Sequence, residues 1–257
     1  MDLGALIAAG LGGALIGLLL AVFGGGGSVL ATPLLLYVVG VRDPHVAIGT
    51  SAAAVSVNAL VGLILQARTG AVKWPCALTF AGAGLAGALL GAELAKRLDG
   101  GLLLLGFSAV MAAIAVSMLL PRKDAGNPDV RLTPTMTLKL APMGLGTGLA
   151  AGFFGIGGGF LIAPGLMAAT GMTLANAAAS SLASVALFGA ATSLSYAAAG
   201  LVNGPLFLAL IAGGAVGAAA GVPVARALAT RATLARRAFA IMVLATAAYV
   251  AIRALYP

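Results

Sequence analysis

Glycine and hydroxyl residues that could bind an oxyanion recur in both halves of this chain of 257 residues. One glycine tract, FGGGGS at 23–28, precedes Thr50-Ser51, and a second, FGIGGG at 154–159, precedes Ser180-Ser181. Glycines allow a backbone to approach an oxyanion closely, and hydroxyl groups donate to it without adding net charge. The pattern therefore favours a site that binds a small anion and releases it again.

The candidate binding residues are the small and hydroxylated positions that occur in both halves. They are Gly25, Gly26, Gly27, Ser28, Thr50, Ser51, Gly157, Gly158, Gly159, Ser180 and Ser181. Two plainer interpretations stay open: the glycines only form tight turns where helices pack, and the hydroxyls bond to their own helix or to a neighbouring one. Asn58, two helical turns beyond Ser51, is a weaker candidate.

Composition indicates the class of protein that holds these residues. The chain is 61% hydrophobic and 8% charged, with a mean hydropathy of +1.14, whereas a soluble domain carries roughly 25% charged residues. Several uncharged runs reach or approach the ~20 residues that span a bilayer. The sequence predicts an all-α, polytopic membrane protein with six or more crossings.

The two halves align over more than the glycine tracts. Phe23 and Phe154 stand 131 residues apart and start equivalent tracts, and Pro75 aligns with Pro205. The sequence predicts homologous repeats at 3–120 and 140–256, joined by a polar linker at 121–139. Broken helices at equivalent points of two repeats are the best sequence indication of a transporter's substrate site.

Each repeat is predicted to contain a glycine-broken helix pair followed by three helices. Half-helices are expected to begin at Ser28, with its hydroxyl as N-cap, and at Gly159, so that their positive ends face the glycine tracts. Glycines elsewhere follow the close-packing pattern of membrane helices. The predicted segments are 3–23 with 28–41, 46–67, 74–95, 101–120, 140–154 with 159–171, 174–199, 205–225 and 237–255.

Basic residues predict the topology. The formal charge of +8 comes from 14 Lys and Arg against 6 Asp and Glu, mostly at segment ends, which is typical of membrane orientation and not of nucleic-acid binding. If each glycine pair returns the chain to its starting side, ten basic residues share one face, in the loops at 68–73, 122–139 and 226–237. If instead each pair makes a net crossing, the repeats are parallel and the 14 basic residues divide equally between the two faces. The positive-inside rule favours the first alternative, inverted repeats with a cytoplasmic linker.

Ionisable residues within the apolar segments are few. Glu93, near Lys96 and Arg97, is expected to form an interfacial salt bridge, and His45 is expected to be solvated in a short loop. With one histidine, one cysteine (Cys76) and no hydrolase or metal motif, the chain is not expected to be an enzyme or to bind a metal or cofactor. A channel stays open as an alternative, since glycine-lined backbone can also conduct ions.

The pattern GxxxGFFGIGGGFLxxP from Gly148 to Pro164, its degenerate copy in the first half and AIGTS at 47–51 resemble the TauE/SafE family of membrane permeases. The resemblance covers essentially the whole chain. It implies export of sulfite or an organosulfonate such as sulfoacetate across the bacterial inner membrane, with no cofactor. Import, or a channel for another small anion, is the alternative, and homo-oligomerisation stays open. The chain departs from the family pattern at GGGGS in the first tract and ASS at 179–181, which leaves the substrate preference open.

Overall fold

The computed structural model describes residues 3–119, 126–154, 159–229 and 232–255, and these ranges are helical with short connections. The first glycine tract forms a 3₁₀-helix, Gly24–Leu30. The α-helices are α1 Leu3–Phe23, α2 Ala31–Tyr37, α3 Pro44–Ala67, α4 Trp74–Ala95, α5 Gly100–Leu119, α6 Pro134–Phe154, α7 Gly159–Thr170, α8 Leu174–Ala198, α9 Gly204–Ala229 and α10 Ala232–Leu255. By length and composition, seven helical segments of the described residues can cross a membrane, so the all-α, polytopic prediction is confirmed.

Side-chain caps begin the two central helices, α3 and α8. The Asp43 carboxylate accepts from the His45 amide at 2.8 Å, with Pro44 at the first helical position. At the equivalent point of the second half, the Thr173 hydroxyl accepts from the Asn176 amide at 3.3 Å. Both arrangements use N–H groups that have no partner inside the helix. The two helices therefore start at equivalent places in the repeated sequence.

Several predicted helix boundaries agree with the structure, but two stretches that were predicted to lie outside helices are helical. The end of α1 at Phe23 and both bounds of α4 are confirmed. The interpretation of 134–139 as linker is wrong, because α6 begins at Pro134, with the Thr133 hydroxyl accepting from the Met136 amide. Much of the predicted loop at 226–237 is also helical, in α9 and α10. Arginine is a good helix former, and its charged end can reach the interface while its stem stays on the helix.

The helices α3 and α8 lie at the centre and run antiparallel. Gly49 near the start of α3 lies against Tyr196 near the end of α8. Gly62 near the end of α3 faces Leu182 near the start of α8, and a Cβ added to Gly62 would lie 3.5 Å from Leu182 Cδ1. Between them the Ser56 hydroxyl donates to the Ala186 carbonyl at 2.7 Å. Inverted repeats require equivalent helices to cross in this sense, and the inverted repeat itself stays a prediction.

The outer helices pair across the two halves. Helix α1 packs most extensively on α9, and α4 packs most extensively on α6, each pair running parallel. Glycines form both contacts: Gly17 meets the backbone of Gly214, and Gly148 meets the backbone of Gly84. The packing role predicted for the helix glycines is confirmed at Gly84, while an added Cβ at Gly82 would meet no atom within 4 Å. The halves are thus interleaved and do not form two separate bundles.

Candidate functional site

The first glycine tract is fully inside the protein and continues directly into a helix. Residues 24–29 are buried in the 3₁₀-helix, and α2 follows from Ala31 with no side-chain cap at Leu30. The Ser28 hydroxyl donates to the Gly25 carbonyl at 2.7 Å. The prediction of a half-helix capped by Ser28 is therefore wrong, because this hydroxyl stabilises the turn of which it is part. Helix α7 is described from Gly159, directly after residues that lie outside the described ranges, so its predicted start stays a prediction.

The two glycine tracts meet at Gly25 and Gly159. An added Cβ on either residue would overlap the backbone of the other. Gly157 and Gly158 lie outside the described residues. A Cβ on Gly26 would meet the Phe239 ring, and one on Gly27 would meet the backbone of α1. The interpretation that the glycines permit close packing thus accounts for Gly26 and Gly27. Gly25 lies where the first glycine tract contacts the second.

One amide of the first tract already has a hydroxyl partner. The Gly25 N–H donates to Ser181 Oγ at 3.1 Å, and the Ser181 hydroxyl donates to the Ala178 carbonyl at 2.8 Å. Ser181 is completely buried. Glycine backbone and hydroxyl are thus adjacent, as the candidate site requires. An anion at this point would have to replace one of these two bonds.

Ser51 has the same local arrangement in the first half. Its hydroxyl donates to the Ile48 carbonyl at 3.0 Å, and Thr32 Oγ1 lies 2.8 Å from Ser51 Oγ. Ser51 and Thr32 are both buried. The interpretation that these hydroxyls bond to their own helix describes Ser51 and Ser181 in this conformation. The repeat analysis missed Thr32 because its counterpart in the second half is alanine, so no repeated signal marked it.

Thr50 and Ser180 each bind the loop that follows the opposite central helix. The Lys73 amide, in the loop after α3, donates to Ser180 Oγ of α8 at 2.9 Å. The Asn203 amide, in the loop after α8, donates to Thr50 Oγ1 of α3 at 2.9 Å. Each hydroxyl is the seventh residue of its helix. Because the helices run antiparallel, these two loop contacts lie at opposite ends of the molecule.

Polar atoms without a partner identify further residues along the interior. Among the described residues, the buried Asn58 Oδ1, Ser184 Oγ, Thr192 Oγ1 and Tyr196 Oη make no hydrogen bond within the protein. Leaving such a group unpaired costs about 1–3 kcal/mol. Three of the four are hydroxyls of α8, and hydroxyls can donate to an anion. Sequence reasoning found Asn58 but missed Ser184 and Thr192, because neither has a hydroxyl counterpart in the other half.

The ionisable residues are less central than these hydroxyls. Glu93 accepts from Lys96 Nζ at 2.7 Å and from the Ser195 hydroxyl at 2.8 Å on an exposed surface, so the predicted salt bridge is confirmed. The prediction that His45 is solvated in a loop is wrong. It is the second residue of α3, because the cap at Asp43 starts that helix earlier, and its ring stacks 6.4 Å from the Tyr196 ring.

Comparison with known proteins places this arrangement in a family. The chain matches the family model "Sulfite exporter TauE/SafE" over residues 9–250. The chain belongs to the TauE/SafE family. A "Probable membrane transporter protein" of Xylella fastidiosa (strain Temecula1) is 47% identical to it over 239 residues, which is 93% of this chain and 92% of that protein.

More distant relatives of this TauE/SafE chain carry the same kind of name. The "Probable membrane transporter protein YdhB" of Bacillus subtilis is 26% identical over 215 residues, which is 80% of this chain and 85% of that protein. No solved structure matches the chain significantly. This TauE/SafE protein is therefore a multi-pass membrane transporter of the bacterial inner membrane and not an enzyme.

Proposed function

We propose that this transporter exports a small sulfur-containing anion, sulfite or an organosulfonate such as sulfoacetate, from the cytoplasm. The observation that carries the proposal is the set of buried, unpaired hydroxyls on α8, at Ser184, Thr192 and Tyr196. They supply hydrogen-bond donors for oxyanion oxygens in an interior where water is scarce. The sulfur chemistry is supported by the name of the family.

The charge of the interior supports export without a coupled cation. The buried polar side chains of the described residues are those of serine, threonine and asparagine together with Tyr196, and none of them carries a charge. Neutral donors bind an anion weakly enough to release it. The inside-negative membrane potential contributes about 2.3 kcal/mol per charge per 100 mV, in the direction that expels a monovalent anion. Uptake against this potential would need a bound cation or proton.

The proposed mechanism is alternating access between two inverted repeats, at 3–120 and 140–256. Support comes from the equivalent loop contacts at opposite ends, Lys73 to Ser180 and Asn203 to Thr50. Each contact ties a loop of one half to a helix of the other. Movement of one half against the other would break one contact while the other is kept, which opens the interior to one side at a time.

Counterflow in proteoliposomes tests the function and the site together. Labelled sulfite, sulfoacetate, sulfate and chloride are compared for the wild type, Ser184→Ala and Thr192→Val. Each variant removes one unpaired hydroxyl, and we expect about tenfold or more weaker exchange from the loss of a hydrogen bond to a charged group. The matched control is Ser193→Ala on the same helix, whose hydroxyl already donates to the Ala190 carbonyl at 3.0 Å.

The outcomes separate the alternatives. Saturable exchange of sulfite or sulfoacetate that falls in both variants and stays unchanged in Ser193→Ala supports the proposal. Exchange of chloride alone, or flux that does not saturate, would replace it with another anion transporter or a channel. Wild-type exchange in both variants would exclude Ser184 and Thr192 from the binding site and overturn the observation on which the proposal rests.

A further inference from the structure

A cavity lies at one end of the molecule, and no residue of the glycine tracts lines it. Its volume is about 290 Å³, at the lower end of the range for ligand pockets. It is formed where α2 ends, where α3 and α5 begin and where α10 approaches its end. Pro44, which lines the cavity, is the first residue of α3, and Thr50 is the seventh. The cavity therefore lies at the same end of the molecule as the hydrogen bond from the Asn203 amide to Thr50.

The cavity brings together two arginines from different halves of the chain. Arg42 comes from the loop between α2 and α3, and Arg253 comes from α10. Neither forms an ion pair within the described residues. Asp43, the neighbouring acid, does not line the cavity, and its carboxylate accepts from the His45 amide. The cavity is thus lined by two arginines and by no acidic residue.

One of the guanidinium groups is held in place by aromatic side chains. Arg253 Nε donates to Tyr249 Oη at 3.4 Å, and the guanidinium carbon lies 5.8 Å from the centre of the Tyr249 ring. The Tyr249 ring in turn meets the Tyr37 ring edge-on at 5.1 Å, and Tyr37 lines the cavity. This arrangement reduces the freedom that Arg253 would lose on binding a ligand.

The remaining wall is apolar. Its residues are Leu36 at the end of α2, Val41 in the loop between α2 and α3, and Leu104 near the start of α5. A ligand that fills this cavity therefore needs both an anionic group for the arginines and a small apolar part for this wall. Guanidinium groups bind phosphate and sulfonate oxygens with two parallel hydrogen bonds, which favours these groups over a simple halide.

We propose that this cavity is a second anion site, which binds a phosphate or sulfonate group attached to a short apolar portion. Two sources have this chemistry: a soluble organosulfonate close to the outlet of the transporter, and the headgroup of an anionic phospholipid. No residue of α8 lines this cavity, so a test of binding here does not depend on the proposed transport function.

Binding to the detergent-solubilised full-length chain distinguishes the two sources. One arm measures soluble butanesulfonate and butyl phosphate, which carry the anionic group and a short apolar part, by calorimetry, and the other measures phosphatidylglycerol against phosphatidylcholine by native mass spectrometry. In the arm that reports binding, Arg42→Gln and Arg253→Gln are each expected to weaken it about tenfold or more. Arg253→Lys keeps the charge but loses the Nε donor to Tyr249 and the planar set of guanidinium donors, and we expect an intermediate affinity.

The matched control is Arg97→Gln, an exposed arginine that does not line the cavity. Wild-type affinity in this control, together with loss in Arg42→Gln and Arg253→Gln, supports the site. Response of the soluble arm identifies an organosulfonate-type ligand, and response of the lipid arm identifies a headgroup. Equal loss in Arg97→Gln would show a general charge effect, and absence of binding to the wild type in both arms would also overturn the proposal.

Discussion

The backbone amide of Lys73 donates to Ser180 Oγ at 2.9 Å, which ties the loop after α3 to the start of α8. The Asn203 amide donates to Thr50 Oγ1 at the same distance, with the roles of the two halves exchanged. Both hydroxyls are completely buried. Both contacts are formed in this one conformation, so the proposed alternating access would require each of them to open in turn.

Removing one of these hydroxyls should favour opening at its own end. Ser180→Ala leaves the Lys73 amide without its partner, and Thr50→Val does the same to the Asn203 amide. An unpaired buried donor costs about 1–3 kcal/mol, enough to shift the populations about 5-fold to 150-fold. The measurement is labelling of a cysteine at position 184 by an impermeant maleimide, in a Cys76→Ser background.

The decisive result for these two variants is labelling of position 184 from opposite sides of the membrane. Ser180→Ala should increase labelling from the side that bears Lys73, and Thr50→Val should increase it from the other side. Oriented membrane vesicles of both kinds make the comparison. An increase from the same side in both variants would contradict alternating access through these contacts.

The contact between Gly25 and Gly159 should tolerate no side chain. Gly25→Ala would place a Cβ against the Gly159 backbone and the Val185 side chain, and overpacking of this kind typically costs about 1–3 kcal/mol. We expect a lower melting temperature in detergent and slower exchange. Gly146→Ala in α6 is the control, since its Cβ would meet no atom within 4 Å. Equal effects of the two changes would show that the tracts do not need this close approach.

Exposed positions at the two ends should label from opposite sides of the membrane. Thr69 and Asp129 lie at the end near Lys73, whereas Val38 and Ala199 lie at the other end. Single cysteines at these sites on a Cys76→Ser background should label from the cytoplasm at 69 and 129, and from the periplasm at 38 and 199. Labelling of 69 and 199 from one side would contradict the inverted repeat.

Glu93 should be dispensable for transport. Its carboxylate accepts from Lys96 and Ser195 on an exposed surface, and exposed ion pairs contribute little. Glu93→Gln is expected to keep the wild-type rate of counterflow at every pH between about 6 and 8. A large loss of exchange would assign Glu93 a role in coupling that its surroundings do not indicate.

The sequence alone determined the class of protein and most helix positions. Long runs with almost no charged residue are typical of membrane spans, so the end of α1 at Phe23 and both bounds of Trp74–Ala95 were predictable. Repeated residues also revealed Thr50, Ser51, Ser180 and Ser181. This information is local or periodic, and it needs no knowledge of which segments touch.

Only the tertiary structure decided what each hydroxyl contacts. The partners of Thr50 and Ser180 are loop amides more than 100 residues away, at Asn203 and Lys73. Ser184 and Thr192 became candidates only because no group of the described residues pairs with them, and no repeated pattern marked either. Local propensity determines where a helix forms, whereas hydrogen-bond partners and cavities depend on how helices from the two halves pack against each other.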